Sequence, residues 1–497
     1  MLNIRVLQLG SDDFSRQYHL PSGVEWNYEP ELSMEDQEYD AAVIDRTLTD
    51  QEAGILARIV RAHCLFLLGD LPLSGEMAYM MKCRCGVRMK RAELRAFLEQ
   101  DLRNYYGGSY GEKFDPHSLA VAPGFRGKVC WHGFTEAVLE GQFGDAMRQA
   151  AYWRGNIPVE EGQAIDFWLE YEKTGDVEIE LKIVQFFVGS VSGIQDEWIF
   201  SEDDLREPVT VDNRHKEGPL FVSLNARGTG TLKITALHDR YSRRGRGAFL
   251  PGSIRLTTEN REEVFGYLDP GDLKPPLCVY FSGYKTMEGF EGYRMMRRMG
   301  CPFLLISESR LEGGAFYLGP SEYENGLRQI LEDAMRTLGF TREQVVFSGL
   351  SMGTFGAMYY GTMIRPAYIL VGKPLASLGN MAEAERLERP GGFPTSLDVL
   401  WKQYRSLEHP AAEELNRRFW DRFDRTDWSE STLIAAYMIE DDYDADAYQQ
   451  LLSHISSSGV RVIGKGLHGR HNDDTSGIVS WFVRQYHRVL HDRYGRE

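Results

Sequence analysis

Residues 344–358 read QVVFSGLSMGTFGAM. The apolar, β-forming run Val345-Val346-Phe347 gives way at GLSMG (349–353) to small residues suited to a helix. In a G-x-S-x-G turn the serine stands at a tight strand-to-helix corner, and the flanking glycines let neighbouring chains approach. Gly349 and Gly353 flank Ser351 at that spacing. A serine in this position is either a nucleophile or a helix N-cap, whose side chain bonds free backbone N–H groups. The surroundings decide between them.

Working outward, the apolar runs Leu277–Phe281, Phe303–Ile306, Gln344–Phe347, Tyr368–Val371, Leu433–Ile439 and Arg461–Ile463 alternate with helical patterns such as Glu322–Leu338 and Ile478–Asp492. Alternation of this kind predicts a parallel sheet with helices on both faces, here an α/β-hydrolase-like domain over 261–497. The stretch at about 376–430 is long for a connection and carries Arg389-Pro390-Gly391-Gly392, so it reads as an insertion or lid. Two further units precede this domain. Residues 1–115 mix short strands with helices and predict a small α/β domain, whose Gly10-Ser11-Asp12 turn lacks the further glycines of a dinucleotide loop. Residues 116–260 alternate apolar and polar side chains, as in Val177 to Ile183, and predict an antiparallel β-sandwich, a candidate carbohydrate- or partner-binding unit.

The whole chain constrains function further. With 497 residues, 42% hydrophobic, it has material for several cores. A net charge of -17 disfavours nucleic acid and anionic lipid as partners, and the basic run Arg240 to Arg246 is short and glycine-broken. No segment reaches the roughly 18 apolar residues of a membrane span, and the N-terminal stretch lacks the pattern of a signal peptide, so an intracellular protein is expected. The six cysteines sit in unlike contexts, and Cys83-x-Cys85 has no second pair at zinc spacing. Neither a metal nor a tightly bound cofactor is expected.

A serine nucleophile needs a histidine to take its proton and a carboxylate to orient that histidine, in the chain order Ser, acid, His. The strand ending at Ile439 runs into Glu440-Asp441-Asp442-Tyr443-Asp444, and the last strand runs into His468-Gly469-Arg470-His471. Glu440 and Asp441, at the strand's lip, are the candidate acids. Asp444 and Asp446 read as loop carboxylates near the next helix. His471, further along its loop, is preferred as the base, with His468 in reserve. Oxyanion donors are expected from Met352 N–H and from Gly283 or Tyr284 in the loop after an earlier strand, with Glu312-Gly313-Gly314 nearby.

The stretches LDPGDLKPPLCVYFSGY (268–284), GFEGYRMMRRMGCPFLLISESRLEGGAFYLG (289–319), SGLSMGTFGAMYYG (348–361), VGKPLASLG (371–379) and HGRHNDD (468–474) resemble the accessory Sec system protein family, specifically its second Asp component. YSRRGRGAFLPG (241–252) also fits, whereas the N-terminal domain matches only in layout. The resemblance implies a cytoplasmic protein of Gram-positive bacteria, at most peripheral to the membrane. Its implied partners are the first and third Asp components, the accessory motor ATPase and the translocon. It also implies export of serine-rich repeat adhesins and O-acetylation of their N-acetylglucosamine, from an acetyl donor the sequence does not reveal. The family's serine maps onto Ser351 and its histidine onto His471, while its acid, a glutamate, falls in the Glu440-Asp441 doublet.

Overall fold

The strands around Ser351 pair into one eight-stranded sheet in the computed structural model, which describes residues 3–32, 37–73, 75–108, 110–190, 192–455 and 460–496. Two other sheets precede it in the chain.

The N-terminal sheet consists of β1 (Ile4–Leu9), β2 (Val24–Glu29), β3 (Ala41–Ile44), β4 (Leu65–Leu68) and β5 (Val87–Met89). All are parallel, in the order β2-β1-β3-β4-β5. β1, β3 and β4 are almost wholly buried, as expected of parallel strands covered on both faces. A capping box between Thr49 and Glu52 starts the helix Asp50–Ile59.

The second sheet is antiparallel, as the alternation predicts. Its strands are β6 (Gly111–Phe114), β7 (Leu119–Val121), β8 (Arg126–His132), β9 (Glu136–Trp153), β10 (Ile157–Val159), β11 (Ala164–Gly175), β12 (Glu178–Phe186), β13 (Ile194–Ser201), β14 (Val209–Asp212) and β15 (Gly218–Tyr241). Its two layers enclose one core, with Ile165 and Phe167 of β11 buried alongside Ile179, Leu181 and Ile183 of β12. They are not separate sheets, however. β15 runs through both, pairing with β12 over residues 220–227 and with β11 over 230–241. Leu220, in the half that pairs with β12, and Thr231, in the half that pairs with β11, thus lie on one strand. The register against β9 shifts at Gly228, whose φ is +93°, so glycine bends the ribbon without breaking its ladder.

The third sheet comprises β16 (Ile254–Thr257), β17 (Glu263–Asp269), β18 (Leu277–Phe281), β19 (Phe303–Glu308), β20 (Val345–Leu350), β21 (Tyr368–Gly372), β22 (Thr432–Met438) and β23 (Arg461–Leu467). Its order is β16-β17-β19-β18-β20-β21-β22-β23, parallel from β19 to β23. The six expected strands are joined by an antiparallel hairpin, β16 and β17, at one edge. β16 lies before residue 261, so this sheet begins upstream of the expected boundary.

Strand residues alternate strictly between two cores. Val279, Phe347, Val371 and Ala435 face the helices Ser321–Leu338 and Met352–Ile364. Tyr280, Val346, Leu370 and Ala436 face the helix Thr475–Tyr494. Segment 376–430 forms the helices Leu378–Leu387, Thr395–Tyr404 and His409–Arg425. Met381, Leu400, Leu415 and Phe419 bury this segment in the first core. It is therefore an integral layer of the domain rather than a detachable flap. Among the described residues no helix is long and apolar enough to cross a membrane.

Candidate functional site

Ser351 stands between β20 and the helix Met352–Ile364 with φ +49° and ψ -121°, a conformation costing a non-glycine residue about 1–3 kcal/mol. Hydrogen bonds hold it there. Ser351 N–H donates to Gly372 O on β21 at 2.8 Å, and Thr354 Oγ1 donates to Ser351 O at 2.6 Å. Both flanking glycines are sterically required. A Cβ at Gly349 would lie 2.3 Å from Gly353 O, and one at Gly353 would lie 2.1 Å from Phe281 O. The Ser351 side chain makes no capping bond to the helix, which disposes of the N-cap alternative.

Instead, Ser351 Oγ lies 2.8 Å from His471 Nε2. His471 Nδ1 lies 2.9 Å from Asp441 Oδ2, and both residues are buried, at 1% and 8% exposure. The other carboxyl oxygen, Asp441 Oδ1, accepts from Tyr443 N–H at 2.8 Å and Asp444 N–H at 3.3 Å. The two carboxylates of the doublet thus part company. Glu440 does not reach His471. It points to solvent, where it accepts from Gly469 N–H at 2.6 Å and meets the reserve histidine, His468 Nδ1, at 3.0 Å. Those bonds, Gly469's first, hold its carboxyl below the usual range. Neighbours leaving a strand diverge, so only the inward one can join a buried histidine.

Several residues that carry no motif, or that read as loop solvation in the sequence, support this arrangement. The Tyr443 ring stacks on the His471 ring at 4.3 Å and 6°, and Phe393 stacks on Tyr443 at 5.1 Å. Arg389 lies over Tyr443 and pairs with Asp442 at 2.9 Å, while Asp442 Oδ1 accepts from His471 N–H at 3.0 Å. The turn Arg389 to Phe393 thereby ties the inserted helices to the histidine loop.

Asp444 is buried and accepts from Ala376 N–H at 2.7 Å and Ser377 N–H at 2.8 Å, fixing the loop after β21. Burial pushes its carboxyl up to about 6 despite those donors. Lys373, at φ +59°, donates through Nζ to Thr475 Oγ1 at 3.0 Å. Burial lowers its ammonium pKa, opposed by Asp441, Asp473 and Asp474. The signal available in the sequence was position alone: these residues leave β21 and β22 at their carboxyl ends.

Met352 N–H is the first of the helix and has no intrahelical acceptor, so it remains available beside Ser351. Of the two candidates for a second donor, Gly283 is engaged elsewhere, its N–H donating to Glu291 Oε2 at 2.6 Å. Tyr284 N–H has no acceptor among the described residues. Its ring packs over Gly313, where a Cβ would lie 2.2 Å away, and a Cβ at Gly314 would lie 2.4 Å from Met352 Cε. The Glu312-Gly313-Gly314 turn therefore borders both donors. Beyond Phe393, a groove of about 360 Å³ opens between the second sheet and the inserted helices, lined by His132, Phe134, Pro394, Leu397 and Trp401.

Among the described residues, the one set of three or more His, Cys, Asp or Glu side chains close enough together to hold a metal ion is Glu170, His238 and Glu263, none of them at Ser351. They are already paired: His238 lies between Glu170 and Glu288, and Glu263 forks onto Arg240.

Over residues 4–496 the chain matches the family described as accessory Sec system GspB-transporter. The second Asp protein of the accessory Sec system of Streptococcus gordonii is 37% identical over 506 residues, covering 99% of each chain. Its Staphylococcus aureus counterpart is 36% identical over 511 residues, 99% of this chain and 97% of that protein. The solved Glycosylation Associate Protein (Gap123) complex from Streptococcus agalactiae contains a similar chain. It has a TM-score of 0.89 and 33% identity, covering 100% of this chain and 99% of that one. By sequence and by fold, the chain belongs to the accessory Sec system GspB-transporter family.

Proposed function

We propose that this chain is a serine-dependent O-acetyltransferase that modifies N-acetylglucosamine on serine-rich repeat adhesins, and that it works with other accessory Sec components in their export. The observation that carries the catalytic part is the buried relay from Ser351 through His471 to Asp441, at 2.8 and 2.9 Å. In this reading His471 Nε2 takes the Ser351 proton as Oγ attacks the acyl carbonyl, and Asp441 holds Nδ1–H so that Nε2 is free to accept. Met352 N–H and Tyr284 N–H receive the developing oxyanion. Collapse expels the donor's leaving group, which takes the proton from His471, and leaves acetyl on Ser351.

A sugar hydroxyl then gives its proton to His471 and attacks the acyl-enzyme, and His471 passes that proton to Ser351 Oγ as the acyl–Oγ bond breaks. Water as acceptor would make the same site an esterase. The acetyl donor is left open.

A second role rests on a different observation. Phe187 and Val188, just after β12, and Ile194 and Ile199 of β13 are each at least half exposed, and large exposed apolar side chains suit a protein partner. The similar chain in the Gap123 complex supports assembly with other accessory Sec proteins. One experiment tests both roles: mass analysis of the exported adhesin's glycans from cells carrying wild-type or Ser351→Ala protein. Adhesin that is still exported but lacks acetyl groups is expected. Normal acetylation by the variant refutes the enzyme, and loss of export would show that the two roles are not separable.

A further inference from the structure

His471 rests against an aromatic face as well as a carboxylate. Asp441 Oδ1 accepts from Tyr443 N–H at 2.8 Å, so the acid that faces Nδ1 with one oxygen turns the chain with the other. Beyond that turn the half-buried Tyr443 ring lies flat on the imidazole, with centroids 4.3 Å apart and planes 6° from parallel. Several contacts hold the ring there. Its hydroxyl accepts from Asn472 Nδ2 at 3.1 Å, next to the histidine in the chain, and donates to Gly392 O at 3.4 Å. Phe393 stacks on it at 5.1 Å. Glu385 fixes the Phe393 turn by accepting from the N–H groups of Gly391 and Phe393, each at 2.5 Å.

The chemistry gives this stack a task. When Nε2 takes the Ser351 proton, a positive charge appears on a side chain that is 1% exposed and has little water to solvate it. Asp441 meets that charge at Nδ1, in the plane of the imidazole. The face of a phenol ring carries negative potential and attracts a cation within about 6 Å of its centroid. Tyr443 satisfies that distance from above the imidazole plane, a direction Asp441 does not cover. The attraction grows as the proton arrives, so it favours the transition state over the resting enzyme. Arg389, with Cζ 4.4 Å from the same centroid, draws on the ring too, but its own charge is paired with Asp442 at 2.9 Å.

We infer that Tyr443 is a positioning residue for the reaction at Ser351, fixing the plane of His471 and stabilising it while it holds the Ser351 proton. This rests on the reading of Ser351, His471 and Asp441 as a proton relay. Any bulky neighbour could fix the plane, whereas stabilising the charge requires an electron-rich face.

Replacing Tyr443 in the full chain by phenylalanine, and then by mono-, di- and trifluorophenylalanine, keeps the ring's shape while draining its face of electron density. The readout is kcat/KM for release of nitrophenol from its acetyl ester, with thermal melts to confirm folding and Ser351→Ala as the blank. Tyr443→Phe is expected within about threefold of wild type, because the face survives the loss of the partly exposed hydroxyl bonds. Activity should then fall with each added fluorine, to about tenfold below phenylalanine, the size expected of a partly desolvated cation on an aromatic face. Tyr443→Leu should fall at least as far. A trifluoro ring within about twofold of phenylalanine overturns the inference, because packing alone is indifferent to the electron density that fluorine removes. Nitrophenol release that survives in Ser351→Ala, or is absent from the wild type, removes the relay itself and the inference with it.

Discussion

Exchanging Asp441 for asparagine replaces one oxygen by an amide group at constant shape, and the structure dictates how that amide turns. Asp441 Oδ1 accepts two backbone N–H groups, at 2.8 and 3.3 Å, whereas Oδ2 faces the single His471 Nδ1 at 2.9 Å. Placing the NH₂ against two donors would cost two hydrogen bonds, each worth about 1 kcal/mol, and leave buried groups unmatched. In Asp441→Asn the side-chain carbonyl therefore stays with Tyr443 and Asp444, and the NH₂ faces His471. Nδ1 must then become the acceptor, and the proton moves to Nε2, the atom that should receive the Ser351 proton. A relay in the wrong tautomer loses about 10⁴-fold in rate, or about 5.5 kcal/mol of transition-state stabilisation. Glu440→Gln touches only the exposed contacts with His468 and Gly469 and should stay within about twofold. The assay is kcat/KM for release of nitrophenol from its acetyl ester, with thermal melts to confirm that both variants fold. If Glu440→Gln loses the activity, or Asp441→Asn keeps more than a tenth of it, the assignment of the acid is wrong.

Two further outcomes follow from the site's supports. Gly353→Ala places a methyl 2.1 Å from the backbone oxygen of Phe281, which cannot rotate away, so the variant should lose about 3 kcal/mol or more in urea unfolding. An unchanged midpoint would show that the elbow is looser than its geometry. For Asp444, the folded pKa of about 6 lies above the ordinary 3.8, so the folded state keeps the proton longer. The stability this gives is complete below the unfolded value and disappears as pH rises through 6, about 3 kcal/mol in all. Asp444→Asn should lack that decline while keeping an acceptor for Ala376 and Ser377, and identical pH–stability curves for variant and wild type would refute the account.

What the amino-acid order determined by itself was whatever depends on neighbours in the chain. The β-to-α switch at 345–364, the glycines at 349 and 353 and the alternation of later strands with helices are local patterns. Together with the order Ser, acid, His they suffice to single out Ser351 and to prefer His471 over His468. The antiparallel character of the second sheet was legible from its period of two. Its continuity was not, because whether one strand passes through two layers depends on partners as distant as Gly111, which pairs with Arg240, and on a bend at Gly228. The hairpin of β16 and β17 escaped for the same reason, having meaning only through its pairing with β19.

Within the site, the sequence carried the reading to a doublet and no further. Glu440 and Asp441 are both acidic, adjacent and at the lip of β22, and composition cannot say which way each side chain leaves. Tertiary structure decided it through the loop that gives Asp441 Oδ1 two backbone donors and leaves Oδ2 facing His471. It likewise took Gly283 N–H for Glu291 and buried Asp444 as a strut under the β21 loop. Chain order can bring a residue to the right edge of a sheet. Direction, burial and prior engagement of its polar atoms depend on contacts between segments far apart in sequence, and only the folded molecule has those.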